Sequence, residues 1–357
     1  MRWAVWIVAF VIVLARQPHN LLRPQWAYEE VAAFWVPTFF LEPLEYLLEP
    51  WAGYLQVPAR LAFLFAKSAP STQAPIVTTV FAAVVIASVA TFFTSNRLCL
   101  AIPDVRVRVG FAFVIPLLPV SGAFVGPLNA HWFLALYLVG LSLTIKKRWW
   151  DYPAVAFAGL SGVAAILTLP LFWRDKRGLV LAACAGIQFA VLINADRTPN
   201  DFALSRVAIL ALVMLLLVAL IPALPVRTRL SFLYLGAVVV LAGSWSRSIQ
   251  FGSRYLLPLV AGFALMVLAG AIQRRFEALL PAALLLALIF GSLGLPDLGD
   301  TDWQSNADCI GGAEPCEVPV RPADWSVSWP GAGGVFVHPH PWMARSESWG
   351  RFEAFSG

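Results

Sequence analysis

The sequence predicts an all-α polytopic membrane protein with about nine transmembrane helices. Hydrophobic residues make up 60% of its 357 residues and charged residues only 13%, whereas soluble domains carry about 25% charged residues. Apolar runs that approach the roughly 20 residues of a membrane span recur along the whole chain. The net charge of +5 is small, and its Lys and Arg lie in short loops, which indicates membrane orientation rather than a nucleic-acid surface.

The first apolar run lies in MRWAVWIVAFVIVLAR, which resembles a signal peptide. We expect this segment to be retained as a short first span. The runs fall at 3–15, 76–94, 109–126, 128–145, 153–173, 178–194, 203–224, 231–245, 255–272 and 278–295.

The loops between these runs are basic, and they are NRLCLAIPDVRVRV, KKRWWD, RDKR, VRTR and QRRFE. The positive-inside rule places all of them in the cytoplasm. The run 153–173 lies between KKRWWD and RDKR, so it cannot cross the membrane if both loops are cytoplasmic. It is interrupted by Gly159, Ser161 and Gly162, and each half of about ten residues reaches only about 15 Å.

We therefore expect residues 153–173 to form a re-entrant pair of short helices, covered by protein or by a water-filled cavity. The alternative is a full span, which would place the later basic loops outside and the C-terminal tail in the cytoplasm. The re-entrant interpretation gives nine spans, a cytoplasmic N-terminus and an external C-terminus.

This topology divides the chain into a transmembrane domain, 1–295, and an external irregular cap, 296–357. Amphipathic patches with proline breaks in the external loop 17–75 predict short helices on the membrane surface. Cys309 and Cys316 lie seven residues apart in the cap, and an oxidising compartment would favour a disulfide between them. Cys99 and Cys184 are predicted to be buried small hydrophobic residues.

The polar candidates for chemistry cluster on the predicted external face. Carboxylates can take or polarise a proton, and arginines hold phosphate oxygens in a bidentate fork and stabilise charge on a leaving group. The set therefore suits a reaction on an anionic substrate. Its members are His19, Arg23, Glu29, Glu30, Tyr54 and Arg60 in loop 17–75, Asn129 and His131 in GPLNAHW, and Arg247, Arg254 and Tyr255 in SRSIQFGSRYLLP.

The order of these strings resembles the GT-C class of integral-membrane glycosyltransferases, with a short first span and a long external loop that opens with an acidic pair. The strings are LLRPQWAYEE, GYLQVPARL, NAHW, the broken LSG…LPLF segment with a downstream Gln188, GSRYLLP and CEVPVRP. They are similar to those of a bacterial group whose first strings run roughly RPQFWAEDG, GYLHLLPRL and NxHW. The resemblance covers most of the chain in order.

The resemblance implies site residues one by one. Glu29 and Glu30 match the acidic pair that contacts the acceptor or acts as the base, and Glu30 is slightly favoured. Arg60 matches the arginine of the second string, and Arg254 with Tyr255 matches an RY pair near a late span. The chain departs from the pattern with Glu30 where Asp is usual, Val31 where Gly is usual, and an inserted Tyr28.

The implied activity is inverting transfer of a hexose or pentose from a polyprenyl-phosphate donor to an envelope glycan or lipid at the outer face of the bacterial cytoplasmic membrane. No cofactor is required, although Glu29 and Glu30 could share a divalent cation. Two rival functions are a transporter or flippase of a lipid-linked anionic substrate and a non-catalytic membrane subunit of an envelope or other complex. Nearly charge-free spans and a single broken segment argue against a transporter.

Structural roles compete with these functional ones. Glu29 and Glu30 could cap an interfacial helix, Arg60 and Arg254 could snorkel to the interface, and His131 could belong to an aromatic belt. Asn129 could cap the following helix. We expect Gln188 to hydrogen-bond the broken segment, and we expect Glu42, Glu45 and Glu49 to form a solvated face.

Overall fold

A computed structural model describes residues 2–16, 18–26, 28–51, 53–118, 126–194, 223–245, 257–273, 301–320 and 325–331. Within these residues the chain is mostly helical. By length and composition, the helices Ala74–Phe93 and Arg177–Asn194 could cross a membrane. The figure of nine spans stays a prediction, because run 278–295 and nearly all of run 203–224 lie outside the described residues.

The helices are mostly short. In chain order they are α1 Arg2–Ala15, α2 His19–Leu22, α3 Tyr28–Glu30, α4 Pro43–Leu48, α5 Val57–Ala66, α6 Ala74–Phe93, α7 Val105–Val114, α8 Ala130–Ser142, α9 Asp151–Gly159, α10 Ala164–Thr168, α11 Arg177–Asn194, α12 Val226–Trp245, α13 Leu257–Ile272 and α14 Trp303–Asn306. A π-helix, Val31–Trp35, continues from α3, and 3-10 turns cover Val36–Phe39, Asn96–Leu98, Ile115–Leu117, Pro127–Asn129, Leu169–Phe172 and Ala307–Cys309.

Helix α6 lies at the centre of a bundle and packs against α1, α5, α7 and α8 around a continuous apolar core. Helices α1 and α6 are antiparallel, since Trp6 Nε1 near the start of α1 donates to Ser88 Oγ near the end of α6 at 3.1 Å. At the other end of α1, Arg16 Nη1 donates to the carbonyl oxygens of Pro116 and Leu118, just beyond α7. The two termini of α1 therefore lie at opposite ends of the bundle.

One end of the bundle holds a buried ion-pair network. Asp151 accepts hydrogen bonds from the guanidinium groups of Arg97 and Arg177, the latter at 3.0 Å. Arg177 also pairs with Asp175 at 2.6 Å, and Lys147 lies 3.3 Å from the same carboxylate. We call this end, marked by Arg97, Asp151 and Arg177, the basic end. The network holds KKRWWD and RDKR together, so α9 and α10 leave and return at the same end, as a re-entrant pair requires.

The later basic loops meet the same end. Arg227 Nη2 at the start of α12 donates to the carbonyl of Ser142 at 3.2 Å, and Thr228 Oγ1 donates to that of Ala101 at 2.8 Å. Gln273, just after α13, donates through Nε2 to the carbonyl of Ala223 at 2.8 Å. Four of the five basic loops are thus joined by hydrogen bonds at one end, and Gln273, the described residue of the fifth loop, QRRFE, bonds to Ala223 beside VRTR.

At the opposite end, loop 17–75 and the C-terminal tail fold together into a second apolar cluster. Trp26 packs against Trp35, Phe63 and Trp303 with ring centroids 4.9–5.3 Å apart. Trp26 Nε1 also donates to Thr78 Oγ1 at 2.9 Å, which ties this cluster to α6. We call the layer formed by loop 17–75 and the described tail the aromatic layer.

The tail is more regular than the predicted irregular cap. Strands β1, Cys316–Val320, and β2, Trp325–Trp329, pair antiparallel, with Val318 opposite Val327. The all-α prediction missed this sheet because each strand has only five residues and β1 contains a proline, which weakens a local strand signal. The predicted disulfide between Cys309 and Cys316 is confirmed.

The prediction for Cys99 is wrong. Cys184 is buried between α11 and α9, but Cys99 is exposed at the basic end. It follows the 3-10 turn Asn96–Leu98, where the chain leaves the bundle. Apolar neighbours in the sequence therefore do not ensure burial when a residue lies on a turn.

Candidate functional site

The candidate site lies where loop 17–75 descends from the aromatic layer to the broken segment. Trp51 and Tyr54 form a tight turn, in which the N–H of Trp51 donates to the Tyr54 carbonyl at 3.0 Å and the N–H of Tyr54 donates back at 3.2 Å. Gly53 has a φ of 82° inside this turn, a conformation that glycine adopts at little cost. The turn directs residues 55–57 into the bundle.

The side chain of Gln188 forms hydrogen bonds with the backbone of Leu55, where loop 17–75 runs from the aromatic layer toward the broken segment. Its Oε1 accepts from the N–H of Leu55 at 2.9 Å, and its Nε2 donates to the Leu55 carbonyl at 3.1 Å. The same Nε2 reaches the carbonyl of Gly159 at 3.4 Å. The predicted hydrogen bond from Gln188 to the broken segment is therefore confirmed, and the same amide also pairs with the backbone of loop 17–75.

The break between α9 and α10 is in direct contact with residues 54–57 of loop 17–75. The N–H of Val57 donates to the carbonyl of Leu160 at 3.0 Å, and Ser161 Oγ donates to the carbonyl of Ala158. Gly162 has a φ of 124°, and a Cβ atom placed there would lie 3.3 Å from the ring of Tyr54. The break is thus shaped by a residue that tolerates positive φ and by close contact with Tyr54.

A shallow crevice lies beside this junction, and in this structure it is too tight to admit a water molecule. The side chain of Gln56 is buried, and its Oε1 has no hydrogen-bond partner among the residues that the structure describes. Buried polar atoms are nearly always paired, so this acceptor can receive a hydrogen bond from a water molecule or from a ligand. The wall consists of Gln56, Pro58, Ala59, Pro127, His131 and Ser161.

His131 is the member of the predicted site set that lines the crevice. Its Nδ1 lies within hydrogen-bond distance of the Leu128 carbonyl, and a carbonyl only accepts, so Nδ1 is the donor in this contact. The ring centroid lies 6.2 Å from that of Tyr54 and 4.6 Å from that of Trp132. His131 is thus positioned by the first turn of α8 as well as by neighbouring aromatic rings.

The acidic pair divides between two environments. Glu30 is buried with 5% of its surface exposed, whereas Glu29 is exposed. Successive helical residues do not face each other, and the short helix α3 packs against β2 of the tail. Both carboxylates therefore belong to the aromatic layer rather than to the crevice wall, and the buried one is the residue that the resemblance favours as the base.

Arg60 is buried in the aromatic layer, one turn of α5 beyond Gln56. Its guanidinium carbon lies 5.0 Å from the Phe34 ring centroid and 4.7 Å from that of Tyr46, and its Nε donates to the carbonyl of Glu49 at 2.7 Å. Burial lowers the pKa of Arg60, although Tyr46 and Glu49 oppose this. The snorkelling alternative is wrong for Arg60, because the side chain points into protein.

Both terminal nitrogens of Arg60, Nη1 and Nη2, have no hydrogen-bond partner within the described ranges. A buried guanidinium with two open donors is costly unless a ligand or another group completes it. Tyr46 and Glu49 compensate part of its charge, and its aromatic neighbours separate it from open solvent.

The remaining predicted residues are spread more widely. Arg23 is exposed after α2, and Asn129 is buried before α8, although its side chain forms no capping hydrogen bond to that helix. The backbone of His19 begins α2. Arg247, Arg254 and Tyr255 lie outside the described residues, so their role stays a prediction.

Sequence reasoning missed Gln56 and Ser161 as lining residues. Gln56 lies in the string GYLQVPARL and Ser161 in LSG, which carry part of the family resemblance. The crevice itself forms only because loop 17–75 pairs with the break. Over the described part of the chain, no group of three His, Cys, Asp or Glu side chains is arranged to hold a metal ion. A cation shared by Glu29 and Glu30 stays a prediction.

Comparison with known proteins adds no relative to this picture. No family model, no curated protein and no solved structure matches the chain.

Proposed function

We propose that the protein is a GT-C-like glycosyltransferase of the bacterial cytoplasmic membrane. It transfers a sugar from a polyprenyl-phosphate donor to an envelope glycan or lipid at the outer face, with its N-terminus in the cytoplasm and its C-terminus outside. The observation that carries the proposal is the orphaned Oε1 of Gln56 in the crevice wall beside His131 and Ser161. Sugar hydroxyls are donors that suit such an acceptor.

The position of the crevice supports a lipid-linked donor. It lies where a surface loop meets the bundle, and it has to widen before a sugar can enter while the polyprenyl tail remains between helices. The gathering of basic loops at the far end of the bundle supports the outward placement of this site, and two helices have the length and composition of spans.

The proposed reaction is a single displacement at the anomeric carbon. The resemblance assigns the base to Glu30, which lies in the aromatic layer and not in the crevice wall, so the acceptor must approach the donor from that layer. Glu30 then takes the proton of the acceptor hydroxyl, the acceptor oxygen bonds to the anomeric carbon, and the bond to the lipid-phosphate oxygen breaks with inversion. Arg60 and Arg254 stabilise the departing phosphate, and His131 orients the sugar. No metal ion is needed for this scheme, and a cation held by Glu29 and Glu30 is the alternative that chelation would reveal.

The test is donor turnover by the purified full chain in proteoliposomes that contain hexosyl or pentosyl polyprenyl phosphates and an extract of envelope acceptors. We expect Glu30→Gln to lower release of polyprenyl phosphate by about 100-fold or more, the usual contribution of a general base. Glu45→Gln is the matched control, because it makes the same change on an exposed face of α4. Its turnover should equal that of the natural sequence.

Gln56→Leu tests the crevice by a binding measurement. It removes the orphaned acceptor while keeping a similar volume, so we expect weaker donor binding with the fold retained. Unchanged turnover in Glu30→Gln, Glu29→Gln and Gln56→Leu together would reject the enzyme. Donor movement across the bilayer without release of polyprenyl phosphate would instead identify the flippase.

A further inference from the structure

The basic end carries an exposed cluster of aromatic and cationic side chains on the two turns that flank the broken segment. Trp149 and Trp173 expose 75% and 86% of their surface. We call these two turns, 145–152 and 173–176, the paired-turn patch. Its exposed cations are Lys146, Lys147, Arg148, Arg174 and Lys176.

The two turns form one surface because an ion pair joins them. Lys147 Nζ on the first turn lies 3.3 Å from Asp175 Oδ1 on the second. Arg148 lies over the Trp150 ring, 4.8 Å from its centroid, and the Trp149 and Trp150 rings meet edge to face at 5.7 Å. The aromatic and cationic groups are therefore neighbours across a continuous patch.

The carboxylates of this region are already neutralised from inside the protein. Asp151 is fully buried and pairs with Arg97 and Arg177, and Asp175 pairs with Arg177 as well as Lys147. Within the described ranges, Lys146, Arg174 and Lys176 have no ion-pair partner. The patch therefore presents uncompensated positive charge beside exposed indole rings.

This combination matches the boundary of an anionic lipid leaflet. Indole rings are stable at the headgroup level, where one part of the ring is in apolar surroundings and the other is wet. Lys and Arg near that surface are attracted to anionic headgroups. In water alone, the large exposed tryptophans would bury no apolar area and the cations would have no counter-charge.

We infer that the paired-turn patch is a binding site for the headgroups of anionic phospholipids in the cytoplasmic leaflet. The phosphate lies among Lys146, Arg174 and Lys176, and Trp149 and Trp173 insert beside the acyl chains. This inference rests on the membrane orientation in the proposed function but not on sugar transfer. Its test measures lipid binding alone, so the two can fail separately.

The experiment titrates the purified full chain in neutral detergent with phosphatidylglycerol or with phosphatidylcholine of identical acyl chains, and native mass spectrometry counts the bound lipid. We expect tighter binding of phosphatidylglycerol. In the double variant Arg174→Gln/Lys176→Gln, its dissociation constant should rise roughly tenfold to thirtyfold. Lys147 is left intact because it holds Asp175.

The control Arg2→Gln/Arg106→Gln lowers the net charge by the same amount at the same end outside the patch, where Arg106 pairs with Asp104 at 2.8 Å. Its phosphatidylglycerol binding should stay within about twofold of the natural sequence. Equal affinity for the two lipids, or equal loss in the patch and control variants, would overturn the inference.

A second variant, Trp173→Ala, keeps every charge of the patch. We expect it to weaken phosphatidylglycerol binding while high salt still releases the lipid. Unchanged binding in Trp173→Ala and in the double variant, with helical content retained, would also overturn the inference.

Discussion

Two buried polar side chains define the site at the scale of residues. Gln56 Oε1 and the terminal nitrogens of Arg60 have no hydrogen-bond partners among the described residues, yet both side chains lie on one short stretch of loop 17–75. Unsatisfied buried groups are rare and costly. Under the proposed function, Gln56 supplies an acceptor and Arg60 supplies donors to a ligand that carries hydroxyl groups and negative charge. Trp35, Thr91 and Arg108 also carry buried atoms without a partner among the described residues.

Gly162 supports a prediction about the geometry of the break. Its φ of 124° is unfavourable for any residue with a Cβ atom, and such an atom would lie 3.3 Å from Tyr54. We expect Gly162→Ala to lower the free energy of unfolding by about 1–3 kcal/mol, measured by thermal unfolding in detergent. Donor binding should weaken with it, because the crevice adjoins the break.

Gly186→Ala is the matched control, since a Cβ atom at Gly186 of α11 would meet nothing within 4 Å. A glycine inside a helix costs about 1 kcal/mol relative to alanine. The control should therefore be neutral or slightly stabilising. Equal behaviour of the two variants would show that the break does not depend on positive φ.

At the scale of elements, the ion-pair network keeps both ends of the broken segment at the basic end. Burial alone would raise the pKa of Asp175, but its hydrogen bonds with Arg177 and the neighbouring positive charges hold that pKa at about 2. A carboxyl with a depressed pKa stabilises the fold above its unfolded pKa, and this stabilisation is lost as the pH falls through the folded value.

Asp175→Asn should therefore destabilise the protein at neutral pH, and the difference from the natural sequence should shrink between about pH 5 and pH 2. Thermal unfolding across this range is the measurement. Asp308→Asn, which changes an exposed carboxylate of the tail, provides the control. A difference that grows as the pH falls would contradict the assigned role of Asp175.

The tail depends on the disulfide between Cys309 and Cys316, which joins the turn Ala307–Cys309 to the first residue of β1. Replacing both cysteines with serine should destabilise the tail by about 2–3 kcal/mol, because the closed loop is short. Hydrogen exchange should then rise in β1 and β2 and also at Trp303, which packs on Trp26. The bundle should keep its protection.

Cys99→Ser makes the same chemical change at an exposed cysteine and should leave exchange in the tail unaltered. If the double serine variant retained full protection of β1 and β2, aromatic packing alone would hold the hairpin.

At the scale of the whole molecule, the structure separates a basic end from an aromatic layer, and the membrane orientation can be tested on that basis. The single-cysteine variants Lys146→Cys and Arg174→Cys report on which side of the membrane the two turns around the broken segment lie. Glu45→Cys reports the same for loop 17–75. We expect an impermeant maleimide to label position 45 in intact cells. Native Cys99 and positions 146 and 174 should react only after permeabilisation.

Labelling of positions 146 and 174 from opposite sides would instead identify a full span and reverse the later topology. Labelling of all positions from one side would exclude the predicted membrane crossing of α6.

The prediction that the chain is helical and rich in membrane-type segments needed only composition and local hydropathy, which are properties of short windows. The break at 159–162 and the return of the chain to the basic end could also be predicted from the sequence, because Gly and Ser interrupt an apolar run and basic residues flank it. The disulfide followed from the spacing of two cysteines in a polar tail.

Only the tertiary structure decided how these parts meet. Gln188 pairs with Leu55 across 133 residues, and Gln25 accepts from Thr301 across 276. Such contacts leave no period or spacing in the chain, because each partner is chosen by packing and by the need to satisfy buried polar groups. For this reason the sequence by itself determined the class of the protein and its candidate polar residues. The tertiary structure decided that Gln56, His131 and Ser161 share a crevice while Glu30 and Arg60 lie in the aromatic layer.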